Sequence, residues 1–382
     1  MYVGQNDSHE IKYHEICKNK SMKKIAIIGT VGVPANYGGF ETLAENLVKY
    51  HYVEKLPDEL TVYCSSKSYK EKPSSYLSAR LSYLPLSANG AQSIPYDIWS
   101  LFSAVWHRHN VILLLGVSGA IVLPLIRLIS SARIITNIDG IEWRREKWQG
   151  FAGKFLHFSE KMAVRFSHEI ISDNGAIAEY VRDAYGLDSY VIAYGGDHAV
   201  AIDGVAVDEY ALPDRYSFSV CRIEPENNVH MVLEAFSCLV SNALVMIGNW
   251  KNSEYGRELQ DRYASCSHLY LLDPVYDLAK LKTMRSNASY VIHGHSAGGT
   301  NPSLVEAMHF GKPVFAFDCN YNRSSTEDKA LFFKSSDELK SLLENTDAPI
   351  AALVGADMLE IAQRRYTWQI VAQQYFELLR KP

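Results

Sequence analysis

Cysteine is scarce in this chain and is never closely paired. The six cysteines are scattered, with no C-x-x-C spacing, so they provide neither a disulfide framework nor a zinc site. Unpaired thiols of this kind are typical of a reducing compartment. Residues 1–22 are polar and lack the apolar core of a signal peptide. We therefore expect a cytoplasmic protein in which residues 1–22 are an extension and Met22 is the natural start.

Long apolar runs and an excess of positive charge are also missing. Residues 111–126 are uncharged, but Gly116, Gly119 and Pro124 interrupt them, which favours a strand followed by a helix over a membrane span. A formal net charge of −5 argues against general nucleic-acid binding. The 47% hydrophobic content is that of a folded protein, and 382 residues are enough for two domains.

Strand-like runs alternate with helical patterns over most of the chain. This alternation predicts parallel sheets covered by helices on both faces. An irregular segment with Gly204 and Pro213 divides the strands into two series, so two Rossmann-like domains are expected. The predicted divisions are an extension at 1–22, a first domain at 23–196, a linker at 197–214, a second domain at 215–355 and a C-terminal helix at 356–382 that crosses back. The predicted strands are Lys24–Ile28, Leu60–Cys64, Leu81–Leu84, Val111–Leu115, Arg133–Asn137, Glu169–Ser172, Tyr190–Ala193, Tyr216–Val220, Ala243–Ile247, His268–Leu271, Tyr290–Ile292 and Val314–Phe317.

The stretch HGHSAGGTNPSLVEAM, residues 293–308, is typical of a strand end, a glycine turn and a helix start. Its two glycines allow a close backbone bend, Asn301 is a good N-cap and Pro302 suits the first helical turn. A helix start of this kind suits a phosphate or diphosphate. Glu306 would lie one turn further on, within reach of sugar hydroxyls. The same pattern also fits an ordinary α/β turn with a solvated Glu.

A second glycine loop, GTVGVPANYGGFET, follows the first strand and leads into an amphipathic helix. It brings Gly38 and Gly39 to the helix start, which makes a second candidate anion site. A nicotinamide cofactor is not indicated, because the spacing is not G-x-G-x-x-G. In addition, the strand Leu60–Cys64 ends without a ribose-binding acid.

The motif TNIDGIEWRREKW, residues 136–148, lies at the end of another predicted strand, where open parallel sheets place ligand-contacting residues. Asp139 is the strongest candidate there for contact with a sugar or for stabilising developing positive charge. An Asx turn before Gly140 explains the same residue equally well.

Residues 143–166 mix basic and aromatic side chains, with six bases against two acids. This composition suits a surface helix that lies against an anionic bilayer, near a lipid-linked substrate. The alternative is a partly buried helix with a solvated basic edge.

Several separated motifs carry a resemblance to a known family. They are IAIIGTVGVPANYGGFET, DGIEWRREKW, YGGD (194–197), CRIEPENN (221–228) and GHSAGGTNPSLVEAM. From Lys23 to its end, the chain resembles the retaining glycosyltransferases of family four. Within them it is similar to a bacterial subgroup that includes rhamnosyltransferases of capsule and cell-wall polysaccharide assembly. The resemblance implies an α/β fold of the GT-B type, in which two Rossmann-like domains with parallel sheets face a central cleft.

The resemblance also implies roles for individual residues. Asp139 and Arg222 would be catalytic, with Asp139 near the transferred sugar and Arg222 on the diphosphate. Glu306 matches the second Glu of an E-x7-E motif and would bind the nucleotide ribose. The implied donor-binding set is Gly38, Gly39, Arg222, His295, Gly299, Thr300, Asn301, Ser303 and Glu306. The implied acceptor side consists of Asn36, Tyr37, Glu142 and Arg144.

Two departures from the family pattern concern the donor. Gly298 stands where the first Glu of E-x7-E would fall, and Asn227 or Asn228 replaces the diphosphate-binding lysine. Both changes would fit a deoxy sugar, which needs fewer hydroxyl contacts.

The sequence therefore predicts transfer of a sugar, L-rhamnose from dTDP-rhamnose, to a lipid-linked or oligosaccharide acceptor. The expected partners are a dTDP- or UDP-linked donor and peripheral contact with the inner face of the plasma membrane, without nucleic acid. No cofactor is expected, and no metal, because the chain has no Asp-x-Asp motif at the diphosphate. The alternatives are transfer of another hexose, a nucleotide-sugar epimerase, or a catalytically silent assembly partner that binds a sugar nucleotide.

Overall fold

The computed structural model describes residues 22–35, 38–138, 140–141, 143 and 150–382. The described chain forms two compact units. The first contains the residues up to Ile138, those from 150 to Ile171, and Ala372–Pro382, and the second contains residues 140, 141 and 143 together with Ser172–Val371. The second unit includes residues 172–196, whereas the sequence predicts a domain boundary after residue 196. Of the predicted returning segment 356–382, Ala372–Pro382 lie in the first unit.

The first sheet is predominantly parallel. Among the described residues it contains β1 (Lys24–Ile28), β2 (Glu59–Ser65), β3 (Ser75–Tyr76), β4 (Ala79–Leu84), β5 (Val111–Leu115), β6 (Arg133–Ile138), β7 (Glu169–Ser172) and β8 (Tyr190–Val191). Their order is β3-β4-β2-β1-β5-β6-β7-β8, and only β3 is seen to pair antiparallel, with β4. The central strands are apolar on both faces, as in the KIAII sequence of β1, because helices cover both sides.

In the described ranges, five helices accompany the strands of this sheet. They are α1 (Gly39–Val53), α2 (Ser93–Trp106), α3 (Leu123–Ile129), α4 (Phe151–Phe166) and α5 (Gly175–Tyr185). The uncharged residues 111–126 form strand β5 and the beginning of α3, as predicted, with Pro124 in the first turn of the helix. No helix in the described ranges is long and apolar enough to cross a membrane.

The second sheet has only parallel pairs between its described strands. They are β9 (Tyr216–Val220), β10 (Ala243–Ile247), β11 (Leu269–Leu272), β12 (Tyr290–His293), β13 (Val314–Phe317) and β14 (Leu331–Phe333). Their order is β11-β10-β9-β12-β13-β14. The chain therefore builds one half of the sheet outward from β9 and the other half outward from β12.

Helices follow these strands in the described part of the chain, and several of them bury apolar side chains against the second sheet. They are α6 (Val229–Ser237), α7 (Glu254–Tyr263), α8 (Leu278–Asn287), α9 (Pro302–Met308), α10 (Asn320–Thr326), α11 (Ser336–Asn345), α12 (Ala348–Arg365) and α13 (Trp368–Leu379). Leu233 and Phe236 of α6, for example, share a buried cluster with Phe315 of β13 and Leu339 of α11.

The predicted linker, residues 197–214, is irregular apart from short 3₁₀ turns at Asp197–Ala199 and Asp208–Tyr210. It is tied to α8 within the second unit. Lys282 Nζ donates to the carbonyl oxygens of Val200 and Ile202 at 3.1 and 2.5 Å, and Thr283 Oγ1 donates to that of Val205 at 2.7 Å.

The last residues of the chain are integrated into the first unit. The hydroxyl of Tyr375 accepts a hydrogen bond from Asn137 Nδ2 at 2.6 Å, and the ring of Phe376 stacks on Tyr50 with 5.7 Å between centroids. Arg380 and Asp58 form a buried ion pair of 3.1 Å. These contacts fix the end of α13 against the first sheet and α1.

Candidate functional site

The second sheet has a switch point between β9 and β12, because the chain leaves these neighbouring strands toward opposite edges. In open parallel sheets, the crevice outside the carboxyl ends of two such strands is the usual ligand site. The loops that leave β9 and β12 are residues 221–228 and 294–301. The structure thus brings together two motifs that are far apart in the sequence.

Hydrogen bonds join these two loops directly. The backbone N–H and the hydroxyl of Ser296 donate to the carbonyl oxygen of Glu226 at 2.9 and 2.8 Å. Asn228, in a left-handed conformation, donates its amide to the carbonyl of Gly294 at 2.9 Å. The buried side chain of Asn227 donates to the carbonyl of Arg222 at 2.6 Å and also bonds to His295 Nδ1. Asn227 is therefore a structural tie between the loops.

Arg222 presents a cation beside this junction. Its side chain is 39% exposed, and its guanidinium lies 3.5 Å from a carboxylate oxygen of Glu224 and 3.6 Å from one of Glu226. Ion pairs of this length and exposure are weak. An incoming dianion could therefore compete for the Arg222 guanidinium. The neighbouring residue Cys221 is half-buried, and desolvation of its thiol raises the pKa to about 12, so it stays protonated.

The start of α9 has the predicted cap, but its amides are occupied. Asn301 Oδ1 accepts from the N–H of Ser303 at 3.0 Å and from its hydroxyl at 2.7 Å. The N–H of Thr300 donates to Asp173 Oδ2 at 2.9 Å, and Pro302 has no N–H to offer. The helix start therefore presents fewer open donors than the sequence pattern suggests.

Asp173 and Asn174, which follow β7, were not expected at this site. The carboxylate of Asp173 is fully buried beneath the glycine turn, so close to Gly299 that a side chain at 299 would overlap it. Asn174 caps α5 through the N–H of Ala176 and donates its amide to the carbonyl of Tyr321 at 3.1 Å. The only sequence signal is the S-D-N-G cap pattern, which gives no hint of a partner more than 120 residues away.

Glu306 lies on α9, with its carboxylate held by two cationic or donor groups. Arg285 Nη2 is 2.5 Å from Oε2 and His198 Nε2 is 3.2 Å from Oε1. Burial opposes ionisation of this carboxyl, but Arg285 and His198 outweigh it and hold its pKa below the ordinary value. Glu306 is thus an oriented carboxylate, 17% exposed, in the place where a ribose contact is predicted.

His198 is held in turn by Trp368, the first residue of α13. The indole N–H donates to His198 Nδ1 at 3.0 Å, and the backbone N–H of Trp368 donates to Asp197 Oδ1 at 2.8 Å. An indole nitrogen can only donate, so Nδ1 is the accepting nitrogen of a neutral His198 ring. The ring proton then lies on Nε2 and faces Glu306.

A carboxylate of the protein itself, that of Glu41, binds the glycine loop of the first unit. Gly38 is the N-cap of α1, with a φ of 133°, and Gly39 is its first residue. Glu41 Oε1 accepts from the N–H of Val31 at 2.8 Å and from Thr30 Oγ1 at 3.3 Å. The negative charge that a helix start favours is thus supplied by the side chain of Glu41.

Five predicted site residues lie outside the described residues: Asp139, Asn36, Tyr37, Glu142 and Arg144. Their predicted roles remain predictions. Within the described ranges, no three His, Cys, Asp or Glu side chains are grouped as metal ligands would be.

The sequence matches two family models in succession. Residues 22–197 match a domain of unknown function (DUF1972), and residues 209–348 match the family described as glycosyl transferases group 1. No curated protein matches the chain significantly in sequence.

Solved structures resemble the chain over nearly its whole length. Sucrose-phosphate synthase from Thermosynechococcus elongatus has a TM-score of 0.76 at 16% identity, covering 94% of this chain and 98% of its own. HepE of Anabaena in complex with UDP-glucose has a TM-score of 0.66 at 16% identity, with coverages of 94% and 99%. A glycosyltransferase from Rickettsia africae has a TM-score of 0.70 at 10% identity, with coverages of 94% and 98%.

These matches define the fold of the protein. The predicted α/β fold with two parallel-sheet domains is confirmed, and it is the GT-B fold. Within that fold, residues 209–348 match the glycosyl transferases group 1 family.

Proposed function

We propose that the protein is a glycosyltransferase and that it uses a nucleoside diphosphate sugar, which it binds at the carboxyl ends of β9 and β12. The observation that carries the proposal is the hydrogen-bonded junction of the 221–228 and 294–301 loops, beside which the Arg222 guanidinium is partly exposed. The oriented carboxylate of Glu306 adds an acceptor for ribose hydroxyls. The related HepE structure holds UDP-glucose, which supports the same class of donor.

In the proposed reaction, the bond between the anomeric carbon and the diphosphate oxygen breaks, and its electron pair leaves with the diphosphate. The oxygen of an acceptor hydroxyl forms the new bond to the anomeric carbon, and its proton passes to the departing diphosphate oxygen. Arg222 would exchange its loose carboxylate partners for the diphosphate and stabilise the leaving charge. We propose retention of configuration, on the family resemblance, and transfer without a metal, so EDTA treatment should leave the rate unchanged.

We propose L-rhamnose, from dTDP-rhamnose, as the transferred sugar. Gly298 offers no side chain to donor hydroxyls, which suits a deoxy sugar. UDP-glucose is the second candidate, because the HepE complex contains it.

A donor screen by thermal shift tests the donor proposal. A donor at about one hundred times its Kd stabilises a protein by about 2.7 kcal/mol, which raises Tm by several degrees. We expect dTDP-rhamnose to raise Tm more than UDP-glucose does, and we expect Arg222→Ala to reduce both shifts at the same donor concentration. Arg262→Ala, on the exposed face of α7, is the matched control and should keep it. Equal shifts in the Arg222→Ala variant and the wild type would refute the assigned site.

We propose that the acceptor is lipid-linked and that the first unit approaches the membrane through α3 and α4. These helices contact each other and expose an apolar–basic face. Leu128 is 83% exposed on α3, and Phe158 is 50% exposed on α4. The remaining members of the apolar–basic face are Leu125, Ile129, Arg127, Lys154, Lys161 and Arg165, all exposed. Such a mixture favours an anionic interface.

A catalytically silent sugar-nucleotide-binding partner is the second candidate function. It is favoured by the absence of a carboxylate at Gly298 and of a cation at Asn227 or Asn228, because the Asn227 side chain instead joins the two loops. This alternative would be supported if the protein binds the donor but neither hydrolyses it nor transfers its sugar.

A further inference from the structure

An open groove on the second unit has no role in the function proposed above. Its volume is about 440 Å³, and it lies between α5, the start of α10 and Ile141 in the loop after β6. All of its lining residues belong to the second unit. Besides Ile141 and two alanines, they are Glu179, Tyr180, Asp183, Asn320 and Tyr321.

The described lining residues favour some kinds of ligand over others. They include two carboxylates and no Lys, Arg or His, a set that disfavours a phosphate or another anion. The aliphatic side chains among them are one isoleucine and two alanines, which are too few to enclose an acyl chain. Tyrosine rings can instead pack against the C–H faces of a sugar, while carboxylate and amide groups bind its hydroxyls.

The groove adjoins the turn at Gly299–Asn301 on two sides. Ile141 follows Gly140, whose Cβ position would lie 3.2 Å from the backbone of Gly298. On the other side, Asn174 reaches Thr300 Oγ1 at 3.5 Å and the carbonyl of Tyr321 at 3.1 Å with the same amide nitrogen. A ligand in the groove would therefore border the turn that the proposed donor contacts.

We infer that this groove binds an uncharged saccharide and is the acceptor subsite of the enzyme. The inference that a saccharide binds there rests on the described lining residues. Its identity as an acceptor rests on the proposed function, because only a donor held at the Gly299–Asn301 turn makes the groove adjacent to the transferred sugar.

Saturation-transfer NMR of the full chain without any donor tests the inference. The probes are methyl α-L-rhamnopyranoside, maltose and cellobiose. We expect saturation transfer to at least one of these saccharides. Tyr180→Ala and Tyr321→Ala should each raise the Kd for that saccharide by roughly five- to tenfold. Tyr180→Phe keeps the ring and should bind nearly as well as wild type. Tyr276→Ala removes a tyrosine that is 72% exposed and outside the groove, so it is the matched control.

Three results would overturn the inference: no saturation transfer to any probe, equal binding by the two alanine variants and wild type with unchanged Tm, or tighter binding of spermidine than of every sugar. The last would show a cation site. Failure of the donor proposal is distinguishable, because the thermal shift with dTDP-rhamnose and UDP-glucose would then vanish while saccharide binding persists. If the donors bind and the saccharides do not, only the acceptor groove is refuted.

Discussion

The side chains around Glu306 determine how rigidly a donor ribose would be held. Arg285 neutralises the charge of the Glu306 carboxylate, whereas the Nε2–H of His198 faces the carboxylate and orients it. That orientation depends on Trp368, whose indole fixes the tautomer of His198. Trp368 is therefore a positioning residue that acts on the proposed donor site through His198.

We predict that Trp368→Phe raises the donor KM with little change in kcat. The phenyl ring keeps most of the packing but loses one hydrogen bond, which costs about 0.5–1.5 kcal/mol, or roughly two- to tenfold in KM. Steady-state kinetics over a range of donor concentrations gives KM and kcat separately, and ¹⁵N NMR of His198 reports its tautomer. Trp106→Phe, at a tryptophan that is 84% exposed on α2, should change neither. If Trp368→Phe leaves the His198 tautomer unchanged, Trp368 does not act on Glu306 through His198.

We predict that Arg222→Ala lowers the transfer rate by about 30- to 1,000-fold. The physical reason is loss of a charge-assisted contact to the leaving diphosphate, about 2–4 kcal/mol of transition-state stabilisation. Single-turnover rates with saturating donor measure the effect, with Arg262→Ala as control. Turnover near that of wild type would rule out the assigned role.

The sequence predicts only part of this site. The cap at Asn301 and its bond to Ser303 are local, so the N-P-S pattern predicts them correctly. Asp173, Arg285 and His198 could not be found that way, because their partners Thr300 and Glu306 lie in other segments of the chain. Spacing within a motif carries no information about such long-range partners.

At the level of elements, α3 and α4 give the first unit its apolar–basic face. We predict that Leu128→Glu reduces sedimentation with vesicles rich in anionic lipid by about tenfold or more, because burial of a leucine contributes about 1.5–3 kcal/mol. Stability should hardly change, since this side chain is mostly exposed in the folded protein. Val240→Glu replaces a 76% exposed valine of the second unit and should bind like wild type. Equal sedimentation of both variants would refute the membrane role of α3.

Buried strands are the elements that the sequence predicts best. Lys24–Ile28, Val111–Leu115 and Ala243–Ile247 match the prediction residue for residue, because each is a short apolar run that both faces of a parallel sheet bury. Helix α10 and strand β14 were not predicted. The α10 sequence NYNRSST has poor helix formers and is held by tertiary contacts, such as Asn322 Nδ2 to the carbonyl of His295 at 2.9 Å.

For the whole molecule, buried histidines predict a loss of stability in mild acid. His293 lies at the end of β12, and burial lowers its pKa from 6.5 to about 4. The unfolded chain binds this proton below pH 6.5 but the folded chain does not, so the free energy of unfolding falls between pH 6.5 and 4. The loss from this group is of order 3 kcal/mol. His51, His109 and His168, whose pKa values burial also lowers, act in the same direction.

Denaturant unfolding at a series of pH values measures this effect. His293→Gln removes one titrating group and should flatten the pH dependence between 6.5 and 4 relative to wild type. The buried Asp97, whose pKa burial raises, is common to both proteins and cancels in the comparison. Identical slopes for the two proteins would show that His293 is protonated in the folded state.

The contact between Asp173 and Gly299 also constrains how this protein can evolve. Any residue larger than glycine at 299 would overlap the carboxylate beneath it, whereas loss of the carboxylate first would leave room for a new side chain. Substitutions at the two positions must therefore arise in a fixed order, with 173 changing before 299. Lineages of homologous chains should retain intermediates that have a smaller residue at 173 and still glycine at 299, and none with the reverse combination.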